Sequence, residues 1–320
     1  MKKLISLLLL IAALTALLTS CIKPDDTIIR IGYMSGPTGM GMAKLVCDND
    51  TEKYEFKKYA DTATAKADLT SGTVDIICLP TNEAAAYYNT VDKDLRILAI
   101  NCLNSLFLIT DKNTAATSLS DLEGQTVYTC KNGTPRQVLE YIVNALELDI
   151  TVLYTADGKD MVTPNDVQAM VIAGKIPNAV IPEPLITAAM LQIQKNGNTD
   201  IQYSVDVNLN DEWEKISDTP VAMGCIVTTK KFIDEHKGVL DAFLDEYKAS
   251  VEFIGNMENI EASTSYIVES GIMAAAPAAK RALTNLNGAI AYSENTKEIL
   301  DAFFGAIEIK KPDDNFYYEK

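Results

Sequence analysis

Few side chains in this sequence are of the types that carry catalysis, and those few are scattered. The single histidine, His236, stands between Glu235 and Lys237 on a stretch with helical spacing, the setting of a solvated surface histidine rather than a general base. A serine–histidine–acid triad would have to recruit it, and no G-x-S-x-G nucleophile turn occurs. Beyond Cys21 the cysteines are Cys47, Cys78, Cys102, Cys130 and Cys225, with no C-x-x-C pair among them. One histidine and unclustered cysteines exclude the usual zinc ligand sets, and no EF-hand spacing is present for calcium. An odd number of thiols in strand-like apolar runs fits buried free cysteines acting as small hydrophobes, not a disulfide framework. No metal, cofactor or catalytic residue is expected.

What remains is the chemistry of binding. Met34–Gly41 (MSGPTGMG) joins a β-rich run to a helical one, and its glycines let backbone N–H groups approach a ligand closely. Gly36 and Gly41 have phosphate-loop separation, but Met42 replaces the lysine; Lys44 likewise breaks G-x-G-x-x-G. The stretch reads either as an ordinary βα turn or as a ligand loop. Lys131–Pro135 (KNGTP) opens a long helix, with Thr134 suited to the N-cap and Pro135 to the first helical position. Its bare amides would attract an anion, and Arg136 either clamps a carboxylate or sulfonate or faces solvent. Pro182-Glu183-Pro184 closes the apolar run Ala179–Ile181, placing Glu183 at the carboxyl end of a strand, where open α/β sheets put their ligands.

These residues need strands and helices in alternation, and the chain supplies them. Pro164–Met190 reads as helix, turn at Gly174, buried strand, Pro-Glu-Pro loop and helix. Ala63–Tyr88 repeats that plan, with Gly72, the strand Val74–Leu79, Pro80 and a helix from Thr81. Two such units predict two similar α/β lobes. Further strands are expected at 27–33, 54–59, 95–100, 106–110, 125–130, 151–154, 201–207 and 220–229, with everything from Lys231 to Gly305 helical and Asp313–Lys320 a loosely held tail.

The combination resembles the periplasmic-binding-protein family of ABC importers, more narrowly the nitrate/sulfonate/taurine and thiamine-precursor binding group. The residues that carry the resemblance are Asp121–Val127 (DLEGQTV), Gly133-Thr134 and Gly174 through Pro184. It implies a type II periplasmic-binding-protein fold, with two lobes, two hinge crossings and a cleft between them. It implies ligand contacts at Ser35, Gly36, Thr38, Gly39, Thr81, Asn82, Asn104, Thr134 and Glu183, with Ser105 beside Asn104. A cationic heterocycle would favour Glu183 with an aromatic such as Tyr33; an anion would favour the turns after Gly36 and Gly133.

The N-terminus assigns a compartment. Lys2 and Lys3 precede an apolar run from Leu4 to Leu18, and Leu18-Thr19-Ser20-Cys21 resembles a bacterial lipobox. Residues 1–20 are therefore expected to be a signal peptide, Cys21 a lipidated residue, and 21–26 a tether. Loss of the two lysines takes the net charge from −16 to −18, which argues against a nucleic-acid partner. The expected division is lobe 1 at 27–111 plus 221–320 and lobe 2 at 112–220, with crossings near 112–118 and 218–221. The implied function is a monomeric, extracytoplasmic solute-binding lipoprotein serving an ABC permease. The alternatives are an enzyme of the same fold acting on a pyrimidine or small-acid precursor, and a surface lipoprotein without transport.

Overall fold

The computed structural model describes residues 26–49, 53–114, 116–197 and 202–320. Residues 1–20, the expected signal peptide, and Cys21, the expected lipidation site, lie outside these residues. Within them the apolar runs become twelve strands: β1 (Ile29–Met34), β2 (Tyr54–Tyr59), β3 (Ile76–Pro80), β4 (Leu95–Leu103), β5 (Leu106–Asp111), β6 (Thr126–Tyr128), β7 (Thr151–Leu153), β8 (Thr155–Ala156), β9 (Lys159–Asp160), β10 (Asn178–Pro182), β11 (Tyr203–Asn208) and β12 (Ala222–Thr229). Two five-stranded sheets result, ordered β2-β1-β3-β12-β4 and β11-β5-β10-β6-β7. In the first, β1 runs parallel to β2 and β3, while β12 is antiparallel to both β3 and β4. In the second, β10 is parallel to β6 and antiparallel to β5.

The two βα units recognised in the sequence occupy equivalent places. β3 and β10 each have four buried residues and end in a proline, Pro80 and Pro182. A proline there suits the strand end because it has no N–H to give to the ladder. The helices Thr81–Thr90 and Leu185–Asn196 follow. The C-terminal third is helical as expected, in four α-helices, Lys230–Gly255, Ile260–Glu269, Ala276–Asn285 and Thr296–Ala306, with two short 3-10 turns. Phe243, Tyr247, Val251 and Ile254 recur at helical spacing and are buried, as are Phe303 and Ile307 toward the end of the last helix.

Two expectations are corrected. β5 does not extend the first sheet: Leu106–Thr110 pairs with β10 from Leu106↔Pro182 to Thr110↔Asn178, and with β11 on its other side. The first crossing between sheets is therefore Asn104–Ser105, not residues 112–118, and 106–111 belong with the second sheet. The apolar runs on either side of Asn101–Ser105 look continuous in sequence. The physical break is Asn104, held at φ 42°, a left-handed conformation that asparagine tolerates better than most residues. Its N–H donates to the Val221 carbonyl (2.9 Å) and its Oδ1 accepts from the Val221 N–H (3.0 Å). That pair binds the outgoing crossing to the returning one.

The second correction concerns the C-terminal tail, which is packed rather than loose. Phe316 is fully buried against Tyr88 (ring centroids 5.1 Å) and Tyr317 (5.3 Å). The Tyr318 N–H donates to the Ile97 carbonyl at 3.0 Å, and Tyr317 bridges to Ile97 on β4, an edge strand. Covering an edge in this way satisfies backbone groups that would otherwise invite pairing with another chain. Phe316→Ala is expected to cost about 3–5 kcal/mol, as for other buried phenylalanines, in denaturant melts against the unsubstituted chain. A cost below about 1 kcal/mol would contradict this packing.

Candidate functional site

The strand directions fix where a site can form. β1, β3 and β4 all run the same way, because β12 is antiparallel to both β3 and β4. β4 leads through Asn104–Ser105 straight into β5, so the carboxyl ends of β1, β3 and β4 point toward the second sheet. β10 ends where β5 begins, with Pro182 paired to Leu106, and β6 runs parallel to β10. The carboxyl ends of both sheets thus face one gap, the arrangement in which open α/β sheets bind ligands.

Each sheet sends one glycine-led turn to that gap. After β1, Gly36 takes φ 100°, ψ −170° and caps the short helix Pro37–Met40. After β6, Gly133 takes φ 98°, ψ −177° and caps Thr134–Ala145. A side chain at either position would be strained, which explains the two glycines. The N-cap is therefore Gly133, one residue earlier than predicted, and Thr134 is the first helical residue; it is buried. No side chain caps either helix, so the first-turn dipole of the longer one is offered to the gap. Ser35 is exposed and Thr38 half-buried. Gly39 is a packing requirement, since a Cβ there would lie 1.9 Å from the Met34 carbonyl oxygen.

A residue absent from the sequence-based set fixes the first turn. Asn101, 1% exposed, donates from Nδ2 to the Thr38 carbonyl (2.9 Å) and to the Tyr247 hydroxyl (2.7 Å). It ties the turn to β4 and to the helix Lys230–Gly255. Its place in the polar break after Ile100 was the available signal.

Several predicted contacts have other employment. The Thr81 hydroxyl is buried and donates to the Ala222 carbonyl at 2.5 Å, joining the start of its helix to β12. Asn82 accepts from the Glu83 N–H at 2.9 Å. Asn104 works at the hinge, and the Ser105 carbonyl accepts from the Glu183 N–H at 2.9 Å. Tyr33 is buried, donating to the Ser270 carbonyl at 2.9 Å and lying edge-on to Phe56, so it presents no stacking face to the gap. Arg136 is paired with Glu140 (2.8 Å) and lies over the Tyr154 ring (4.8 Å).

Glu183 sits at the gap but is 1% exposed. Its Oε1 accepts from the Thr187 hydroxyl (2.8 Å) and from Nδ2 of Asn285, and its Oε2 from the Thr187 N–H (3.3 Å). Beside it, a Cβ placed on Gly36 would stand 3.6 Å from Cδ of Pro184, so the first turn and the Pro-Glu-Pro loop touch across the gap. Burial pushes the Glu183 carboxyl above the usual carboxylate range; the bonds from Asn285 and Thr187 and the Arg281 charge oppose this without cancelling it.

Among the described residues no group of three or more His, Cys, Asp or Glu is placed to hold a metal ion, and no helix is long and apolar enough to cross a membrane. The five cysteines from Cys47 onward are free, and all but Cys47 are buried. A separate groove of about 660 Å³, lined by Tyr141, Asn144, Ser217, Gly305 and Glu308 among others, lies toward the far end of the Thr134–Ala145 helix from Gly133.

A raised carboxyl pKa has a definite sign. The folded protein holds the Glu183 proton more tightly than the unfolded chain, so stability falls as pH rises from the ordinary carboxyl value through the raised one. Glu183→Gln removes that loss. The melting temperature of the variant minus that of the unsubstituted protein is expected to increase as pH rises above the ordinary carboxyl value; a difference independent of pH would contradict the assignment.

No protein-family model matches the chain, and no curated protein sequence does. Solved structures do. An ABC transporter protein from Parabacteroides distasonis is 21% identical, with a TM-score of 0.70 over 92% of this chain and 99% of that one. The periplasmic aliphatic sulphonate binding protein SsuA of Escherichia coli is 17% identical, with a TM-score of 0.68 over 91% and 92%. The ligand-binding component of an ABC-type import system from Staphylococcus aureus, solved with zinc bound, is 14% identical, with a TM-score of 0.68 over 91% and 96%. The chain has the fold of these binding proteins, two α/β lobes about a cleft.

Proposed function

We propose that this protein is an extracytoplasmic solute-binding protein that captures a small molecule between its two sheets and hands it to an ABC importer. What carries the reading is strand direction: the carboxyl ends of both sheets face one gap, each sheet has a glycine-led turn following such an end, Ser35–Thr38 and Asn132–Thr134, and the first of these touches the Pro-Glu-Pro loop. A fold shared with sulphonate-binding and other importer components supports it.

The ligand contacts we assign are Ser35, Gly36 and Thr38 on one side and Thr134 on the other, through backbone N–H groups and hydroxyls. This donor-rich lining suits a small oxyanion or sulfonate. The Glu183 carboxylate, engaged by Thr187 and Asn285, shapes the gap without being the ligand's counter-ion. Lipid attachment at Cys21 is the reading of Leu18–Cys21 alone, and mass spectrometry of the mature N-terminus reads it directly.

The reading is tested by thermal shift of residues 26–320, refolded to strip any bound ligand, against nitrate, sulfonates, bicarbonate, thiamine precursors, polyamines and amino acids. A true ligand at 100 times its Kd adds about 2.7 kcal/mol of stability. Ser35→Trp, at an exposed position, should abolish that shift while leaving the unliganded melting temperature unchanged. No stabilising compound, or a shift indifferent to Ser35→Trp, would contradict the site.

A further inference from the structure

The carboxylate of Glu183 has donors from both lobes. Thr187 lies in the helix that follows β10, on the second sheet; Asn285 ends the helix Ala276–Asn285, in the C-terminal segment that completes the first lobe. These two helices pack against each other across the gap. We propose that Asn285 is the first lobe's half of an inter-lobe clasp, donating to Glu183 to hold the lobes together before any ligand arrives. The proposal goes beyond the solute-binding reading: it concerns the empty protein and stands whether or not the ligand class is right.

The physical case rests on what separation of the lobes would do to Glu183. Closed, the carboxylate is 1% exposed and accepts three hydrogen bonds. An ionised carboxylate removed from water is tolerable only when its oxygens are satisfied. Thr187 travels with Glu183, because both sit on the same strand-to-helix connection. That connection is fixed to its own lobe by the Glu183 N–H to the Ser105 carbonyl (2.9 Å) and by Gln168 Nε2 to the Leu185 carbonyl (2.7 Å). Only the Asn285 bond is broken when the lobes part, and once the carboxyl is ionised it is charge-assisted, the stronger kind of hydrogen bond.

The clasp is therefore conditional. With the lobes apart, water replaces Asn285 on Glu183, and neither state leaves a buried charge unpaired. With the lobes together, the Asn285 amide offsets the loss of water. Removing that amide leaves the closed form with an under-satisfied buried carboxylate, and closure becomes unfavourable. Arg281, one turn earlier on the same helix, adds an attraction of the same sign.

Small-angle X-ray scattering of the refolded, ligand-free protein reads the state of the lobes. The unsubstituted protein should give a compact radius of gyration, near the ~19 Å expected of a single closed body of this length. Asn285→Ala and Asn285→Asp should each shift it to larger values, the second because two carboxylates then face each other. Combining Glu183→Gln with Asn285→Asp reverses donor and acceptor across the same gap, and should restore the compact value. A merely structural role for Asn285 would not produce that rescue. An unchanged radius in both single variants, or an expanded unsubstituted protein, would overturn the clasp. Both results are read without ligand, so a failed ligand screen leaves them intact. If a single variant does not fold, the exchanged pair decides: compact supports the clasp and expanded overturns it.

Discussion

The architecture depends on how the chain passes twice between two sheets without stranding backbone groups. Asn104 solves this locally. Its left-handed conformation turns the chain out of β4, and its main-chain N–H and side-chain carbonyl both pair with Val221 on the returning segment. Two separate connections thereby become one short, hydrogen-bonded joint. Beside it, Trp213 is fully buried between Tyr141 of the second lobe (5.1 Å between rings) and Phe303 of the first (5.7 Å), with Nε1 donating to the Thr219 carbonyl at 2.5 Å. The joint is narrow, and the bodies it connects are rigid sheets. Rotation about a few residues is the low-cost motion of such a molecule.

A strongly acidic chain is compatible with the small oxyanion or sulfonate proposed as its ligand. Net charge acts at long range and is screened within about 10 Å at moderate salt. The helices after both glycine-led turns start without a side-chain cap. The acidic side chain that does reach the gap, Glu183, is spent on Thr187 and Asn285. At such short range, local dipoles and donors outweigh the overall charge.

Much of this was legible in the sequence because it rests on local rules. Proline after a buried run, glycine at a strand-to-helix turn and 3.6-residue stripes each have a short-range cause. They located β3, β10, both glycine-led turns and the C-terminal helices. What was not legible depends on partners far along the chain. The sheet to which Leu106–Thr110 belongs is decided by pairing with β10 and β11, some seventy or more residues on. The same holds for the site. Thr81 and Asn104 are polar residues at strand ends, as ligand contacts would be, but Ala222 and Val221 claim them. Asn285 lacks any local signature and Asn101 has only its place in a polar break, since each acquires its role from a residue a hundred or more positions away, and Asn101 also from a turn sixty-three away. The tail looked loose because it is polar in composition, yet Phe316 and Tyr317 carry enough apolar surface to anchor it.

The central claim is that a small molecule is held where the two glycine-led turns meet. Hydrogen–deuterium exchange of the protein, with and without the most stabilising compound from the thermal screen, tests it most directly. Slower exchange is predicted together at Ser35–Met40, Asn132–Gln137 and Glu183–Thr187, segments drawn from both lobes. Protection centred instead on the groove around Tyr141, Ser217 and Gly305, or confined to one lobe, would contradict the account.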